Sequence, residues 1–247
     1  MATLERAFVQ SGDEPEFDAL AGEFERRGVP VERFLAKRLR RRQVPITART
    51  LVAGSVPVVL AALRQLDREP PPLPDYPACL THLLRRRVWS STVEAVRRGV
   101  DSPEWRPRFV KPLGAKKRFT GRVVHGPYDL GDLAGVSGKL AVLCSEGVEF
   151  ASEHRAFVLR GEVVGVRRYA GEGGAEPDPD VVRDAVARWG ASGEAPAAYA
   201  LDVGVLPPGE TALVEVNDAY GLGAYDLEPA RYADLVAARW LEIVEGG

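Results

Sequence analysis

Several residue types are nearly missing from this 247-residue chain. Cys79 and Cys144 stand far apart and outside any metal-like spacing. That excludes a disulfide framework and a Cys/His zinc site, and leaves two reduced core thiols. No run approaches the roughly 18 to 20 uninterrupted apolar residues of a membrane span. Glu5 and Arg6 fall where a secretory signal would carry its apolar stretch, so the chain is expected to act in the cytoplasm, away from membranes. His82, His125 and His154 have no Ser or Cys partner at a recognisable elbow, which argues against triad hydrolysis. The opening strand is not followed by a Gly-x-Gly-x-x-Gly turn, so no dinucleotide site is read there.

What is present describes a globular chain, 45% apolar and 28% charged, able to build one large or two modest domains. The net charge of −2 hides an asymmetry. Residues 1–118 hold 23 basic against 14 acidic side chains, a balance of +9, and residues 119–247 hold 10 against 21, a balance of −11. Solvated surface explains most such bias, although an anionic ligand near the first half suits it. The densest basic run, Arg33 to Arg42, has no aromatic ladder after Phe34, so its nucleic-acid signal is weak.

Arginine outnumbers lysine 28 to 5, which makes each lysine informative. Lys111, Lys116 and Lys117 share one seven-residue window, the last two bracketed by Gly114 and Gly121, where mobile ammonium groups suit a phosphate. The single asparagine, Asn217, lies in Val214-Glu215-Val216-Asn217, a strand-like segment that sends Glu215 and Asn217 to one face.

The pattern along the chain begins with a strand at residues 5–11, Asp13 as a helix cap, a helix to about Arg27 ended by Gly28, strands at 29–35 and 50–54, and a helix at 56–67. This β-α-β alternation predicts a small Rossmann-like parallel sheet over residues 1–74, closed by the Pro70–Pro74 linker. Residues 77–99 read as helical, with a break near Trp89-Ser90-Ser91, where either serine would cap the second piece. Mainly antiparallel strands follow at 108–112, 119–125, 140–146, 155–160 and 162–169, the last two joined by a hairpin at Gly161. A helix at 180–189, strands at 198–206 and 211–217, and an amphipathic helix at 228–244 complete the chain.

Read on residues alone, Asp202, Glu215 and Asn217 offer two carboxylates and an amide oxygen on adjacent strands, the hard donor set that Mg²⁺ takes beside phosphate. Arg155, with Arg167 or Arg168 on the neighbouring strand, is positioned to clamp a phosphoryl group.

The series Phe109-Val110-Lys111-Pro112, Lys117-Arg118-Phe119-Thr120-Gly121, Ser145 to Phe150, Glu153-His154-Arg155, Asp202 and Glu215-Val216-Asn217 resembles the ATP-grasp superfamily. It is most similar to the small clade named for two arginines and one lysine. The resemblance covers about Arg85 to the C-terminus. It implies a mixed α/β and α+β fold: the parallel-sheet pre-domain at 1–74, then an ATP-grasp domain at 75–247 with a lid at about 90–145 and a catalytic part at about 146–247. It further implies an ATP- and Mg²⁺-dependent ligase that joins a small carboxylate, an amino acid or peptide, to an amine through an acyl phosphate. Phosphotransfer alone, or a nucleotide- or RNA-binding module without turnover, are the alternatives. A transfer-RNA-linked donor would merge the ligase and RNA readings, and the chain is expected as a monomer or homodimer.

On this pattern Lys111, Lys116, Lys117, Glu146, Gly147, Val148, Glu149 and Glu153 hold the nucleotide, with the adenine hinge at Glu146 to Val148 and Lys117 favoured over Lys116 by its spacing to Gly121. Lys117, Arg155 and Arg168 stand as the catalytic cations, and Arg86 and Arg167 as substrate contacts. Where many relatives continue from the Asn with Pro-Gly, this chain has Asp218-Ala219-Tyr220-Gly221-Leu222-Gly223, which alters the acceptor side.

Overall fold

The computed structural model describes residues 4–114, 119–172 and 174–246, and arranges them around three sheets. The first is parallel, in the order β2-β1-β3, from β1 (Arg6–Gln10), β2 (Val31–Phe34) and β3 (Thr50–Ala53). Helix α1 (Pro15–Arg26) connects the first two strands, a short α2 (Ala36–Arg40) follows the second, and α3 (Val56–Gln65) follows the third. The first helix begins after Glu14 rather than Asp13. Pro15 takes its first turn, where a missing N–H is harmless.

The second sheet, β4-β7-β5-β6, is antiparallel and comprises β4 (Val88–Thr92), β5 (Arg108–Pro112), β6 (Arg122–Val124) and β7 (Ala141–Glu146). Residues 77–99 are not one interrupted helix as the pattern predicts. Residues Ala78–Leu83 form 3₁₀ turns, Val88–Thr92 pair with Ala141–Ser145, and only α4 (Val93–Gly99) is an α-helix. The Val-Trp-Ser-Ser-Thr run prefers a pleated, half-buried surface, and strand pairing overrides the helical period. The helix cap is Thr92, whose hydroxyl accepts from the Ala95 N–H, rather than either serine.

The third sheet, β11-β10-β8-β9, comes from β8 (Ser152–Leu159), β9 (Glu162–Gly171), β10 (Ala198–Leu206) and β11 (Glu210–Asp218), all antiparallel. One of its faces packs α5 (Pro179–Ser192), burying Ala156, Val158, Leu201, Val203 and Leu213 with Trp189. The other packs α6 (Pro229–Glu245) over Phe157, Ala198 and Ala200. That core is continuous with the first sheet, because α6 also lies on α1 and β3. Trp240 donates its indole N–H to the Thr50 carbonyl at 2.7 Å, and Arg27 bonds Asp234 at 2.6 Å. Helix α6 packs on the Phe157 and Ala198 end of its sheet face, and the polar residues farther along the strands include the buried Arg155 and Asp202.

No helix among the described residues is long and apolar enough to cross a membrane.

Candidate functional site

Farther along the α6 face, the sheet carries the buried Arg155 and Asp202 and the half-buried Glu215 and Asn217. Asp202 lies opposite Arg155 of β8 and opposite Glu215 of β11, so all three share a face. Alternation alone does not produce this arrangement. Val203 pairs with Leu213 and Asp202 with Glu215, which leaves Val214 as an extra, unpaired residue in β11. Without that bulge the register would slip by one residue and turn Glu215 and Asn217 into the α5 core.

Arg155 donates from Nε and Nη2 to the two oxygens of Asp202, at 2.8 and 2.7 Å. Asn217 Nδ2 donates to Asp202 Oδ2 and to Glu215 Oε1, both at 3.0 Å. Burial pushes the Asp202 carboxyl above its ordinary range; Arg155 opposes this, and the nearby Glu215 and Glu153 add to it. Burial works against the charge on Arg155, but the bonds to Asp202 outweigh it and raise that group.

Two tyrosines absent from the sequence reading complete the cluster. Tyr169 is the unpaired residue of a second bulge, in β9, and its hydroxyl donates to Glu153 at 3.0 Å. Burial raises its ionisation well above the ordinary tyrosine range, so it remains a donor. Tyr225, in left-handed backbone with its neighbour Asp226, lays its ring 4.9 Å from the Arg155 guanidinium carbon, and the Tyr169 ring lies 5.8 Å from it and 5.7 Å from the Tyr225 ring. Their sequence signal is slight: Tyr169 follows Arg167-Arg168 and Tyr225 precedes Asp226, a pattern that does not separate them from core.

Across β8–β9, Arg167 is opposite Arg155 and Arg168 opposite His154. Arg167 therefore shares the face of Arg155 and donates from Nε to the Asp226 carbonyl, whereas Arg168 stands off that face because neighbouring strand residues alternate.

In the second sheet, Lys111 lies opposite Leu143, on the face away from the α4 core. Its ammonium is 2.9 Å from Asp75 and 5.0 Å from the Tyr76 ring centre. Gly121 gives this strand room, since a Cβ there would meet Phe109 at 2.5 Å. Lys116 and Lys117 lie outside the described residues. The Glu146 carboxylate accepts from the Arg87 backbone N–H at 2.9 Å; Gly147 and Glu149 are exposed and Val148 half-buried. Arg86 touches Tyr76 as well, and bonds the Leu213 and Val214 carbonyls of β11. Tyr76 thus contacts both the lysine of one sheet and the arginine bound to the other.

A cavity of about 670 Å³ between β9 and α5 is floored by Val163, Val166, Val182 and Val186. It opens on the opposite face of the sheet from this cluster and contains none of its residues.

Among the described residues no group of three or more His, Cys, Asp or Glu side chains has metal-holding geometry. The oxygen donors of Asp202, Glu215 and Asn217 nevertheless suit Mg²⁺. The Asn217 amide nitrogen donates to both carboxylates, whose mutual repulsion favours a cation, and the carboxylate and amide oxygens are hard ligands. Asp202 is the most committed of the three, because Arg155 engages both its oxygens.

A parallel opening sheet followed by two antiparallel sheets is the arrangement of solved ATP-grasp proteins. They include an ATP-grasp RimK domain protein from Sphaerobacter thermophilus (TM-score 0.59, 16% identity, 95% of this chain and 99% of that one). D-alanine–D-alanine ligase from Bacillus anthracis, in complex with ATP, gives a TM-score of 0.56 at 12% identity, over 98% of each chain. The ATP-grasp ligase PsnB, bound to minimal precursor, Mg and ADP, gives 0.51 at 13% identity, over 97% and 98%. No curated protein matches the chain by sequence at a significant level. The chain belongs to the ATP-grasp domains of the clade named for two arginines and one lysine, and within that clade to family 2, whose family model matches residues 83–235.

Proposed function

We propose that the protein is an ATP- and Mg²⁺-dependent ligase that joins a carboxylate to an amine through an acyl phosphate. The observation that carries the proposal is the cluster of Arg155, Asp202, Asn217 and Glu215 on three adjacent strands. Its charges and donors suit phosphoryl transfer, which needs placement and neutralisation more than covalent participation by the protein. Membership of the ATP-grasp domain supports ATP as the nucleotide.

Asp202, Glu215 and Asn217 would hold Mg²⁺, which when bound neutralises phosphate charge and acts as a Lewis acid. Lys111, with Lys116 or Lys117, would hold the phosphates. The hinge at Glu146, Gly147 and Val148 would take the adenine edge, and Glu149 or Glu153 the ribose. Arg155 would release part of its hold on Asp202 to meet the transferring phosphoryl group, with Lys117 beside it. Of Arg167 and Arg168, the two partners expected for Arg155, Arg167 lies opposite it across β8–β9 and would be the one to join it at the phosphoryl group.

The substrates proposed are an amino acid or peptide and a small amine, with a transfer-RNA-linked donor as a variant of the same chemistry. Dependence on ATP makes the cytoplasm the proposed compartment. The division into units 1–74 and 75–247, with a lid at about 90–145, is likewise a proposal, and the Pro70–Pro74 stretch supports it.

The test is a screen of amino acids and short peptides for Mg²⁺-dependent ADP formation, with hydroxylamine added. A hydroxamate product supports an acyl phosphate. ADP formation without hydroxamate from any carboxylate favours phosphotransfer, and no turnover in the presence of tight nucleotide binding favours a binding module.

A further inference from the structure

The bulge at Val214 determines whether Glu215 and Asn217 face Asp202 or the α5 core, so whatever fixes the bulge controls the site. β11 is an edge strand, and a bulge on an edge leaves carbonyls without ladder partners. Arg86 meets that need. Its Nη1 donates to the Leu213 carbonyl at 2.7 Å and to Leu84 at 2.9 Å, and its Nη2 donates to the Val214 carbonyl at 3.3 Å and to the Tyr76 hydroxyl at 3.2 Å. The planar head also lies 5.8 Å from the Tyr76 ring centre and 5.9 Å from that of Phe150. Phe150 in turn lies on Gly204, where a Cβ would meet its ring at 2.2 Å, so the packing beneath Arg86 is closed.

We infer that Arg86 is a positioning residue: it caps the β11 bulge and so holds Glu215 and Asn217 in the geometry that receives the metal. This rests on the proposed Mg²⁺ role of those two residues. Its four hydrogen bonds all go to groups of the chain itself, two of them to the strand, which leaves both Nη groups committed to the chain rather than to a substrate carboxylate. A lysine in its place keeps the charge but has no planar fork to span two successive carbonyls. Groups that orient metal ligands typically contribute 10- to 100-fold in metal affinity, roughly the effect expected here.

The experiment measures Mn²⁺ binding by electron paramagnetic resonance, with a non-hydrolysable ATP analogue present, for the wild-type chain, Arg86→Met and Arg86→Lys. Nucleotide affinity without metal and the carboxylate KM are measured alongside. Arg86→Met is expected to weaken Mn²⁺ binding about 10- to 100-fold, with Arg86→Lys intermediate and metal-free nucleotide affinity retained. Unchanged Mn²⁺ affinity in folded Arg86→Met overturns the inference. If that variant does not fold, unchanged affinity in Arg86→Lys overturns it instead. A rise confined to the carboxylate KM also overturns it, since that is the signature of a substrate contact. Failure of the underlying ligase reading is distinct: the wild-type chain itself would then bind no Mn²⁺ with nucleotide present.

Discussion

Arg155 and Asp202 face each other across β8 and β10 and share two hydrogen bonds, of 2.8 and 2.7 Å, with Asp202 only 2% exposed. The pair does two things at once: it satisfies a charge taken out of water, and it holds the carboxylate in the plane that Asn217 needs to bridge to Glu215.

Breaking one side of such a pair leaves an uncompensated buried charge, which destabilises by about 3–5 kcal/mol. Asp202→Asn is therefore expected to lower the unfolding free energy by about 3 kcal/mol in urea titrations. Replacing both partners by apolar residues of similar volume should restore much of that loss. Equal stability of Asp202→Asn and wild type would count against the pairing.

Glu215→Ala and Asn217→Ala should each reduce ADP formation on the order of 100-fold or more, the scale for loss of preorganised charge stabilisation. Both side chains are only half-buried, so their melting temperatures should stay near wild type. Steady-state rates and thermal melts on the same preparations separate the two effects.

Lys111→Met should weaken nucleotide binding roughly 10-fold or more, the scale of one hydrogen bond to a charged group. Asp75→Asn removes the resting partner of that lysine and should leave binding equal or tighter. Competition with a fluorescent ATP analogue reads both.

Glu23 accepts from Arg26 and Arg27, and those bonds hold its carboxyl down at about 2, against 4.5 for the free group. A depressed carboxyl stabilises the fold where the unfolded chain is ionised, above about 4.5, and that gain disappears as the pH falls toward 2. Glu23→Gln should accordingly melt below wild type at about pH 7, and the gap should close by about pH 2. A gap independent of pH would show that the ion pairs are not its source.

Much of the fold was legible because periodicity and turn chemistry agreed with it. The 5–11 and 50–54 strands, the Gly161 hairpin and the last helix follow from pattern alone. The 88–92 strand was not legible. Its weak local preference for a pleated surface becomes decisive through pairing with Ala141–Ser145, a partner some fifty residues away. In the site, the shared face of Glu215 and Asn217 follows from alternation, but its direction toward Asp202 depends on the Val214 bulge, which no local pattern announces. The same limit concealed Tyr225, which reaches Arg155 through a left-handed turn far from it in sequence.

The most direct test is calorimetric titration of a non-hydrolysable ATP analogue into the chain, with and without Mg²⁺, for wild type and the Glu215→Gln/Asn217→Ala double variant. Binding that Mg²⁺ strengthens in wild type and no longer strengthens in the variant is the predicted result. Wild-type binding indifferent to Mg²⁺, or an unchanged response in the variant, would contradict the assignment of these donors.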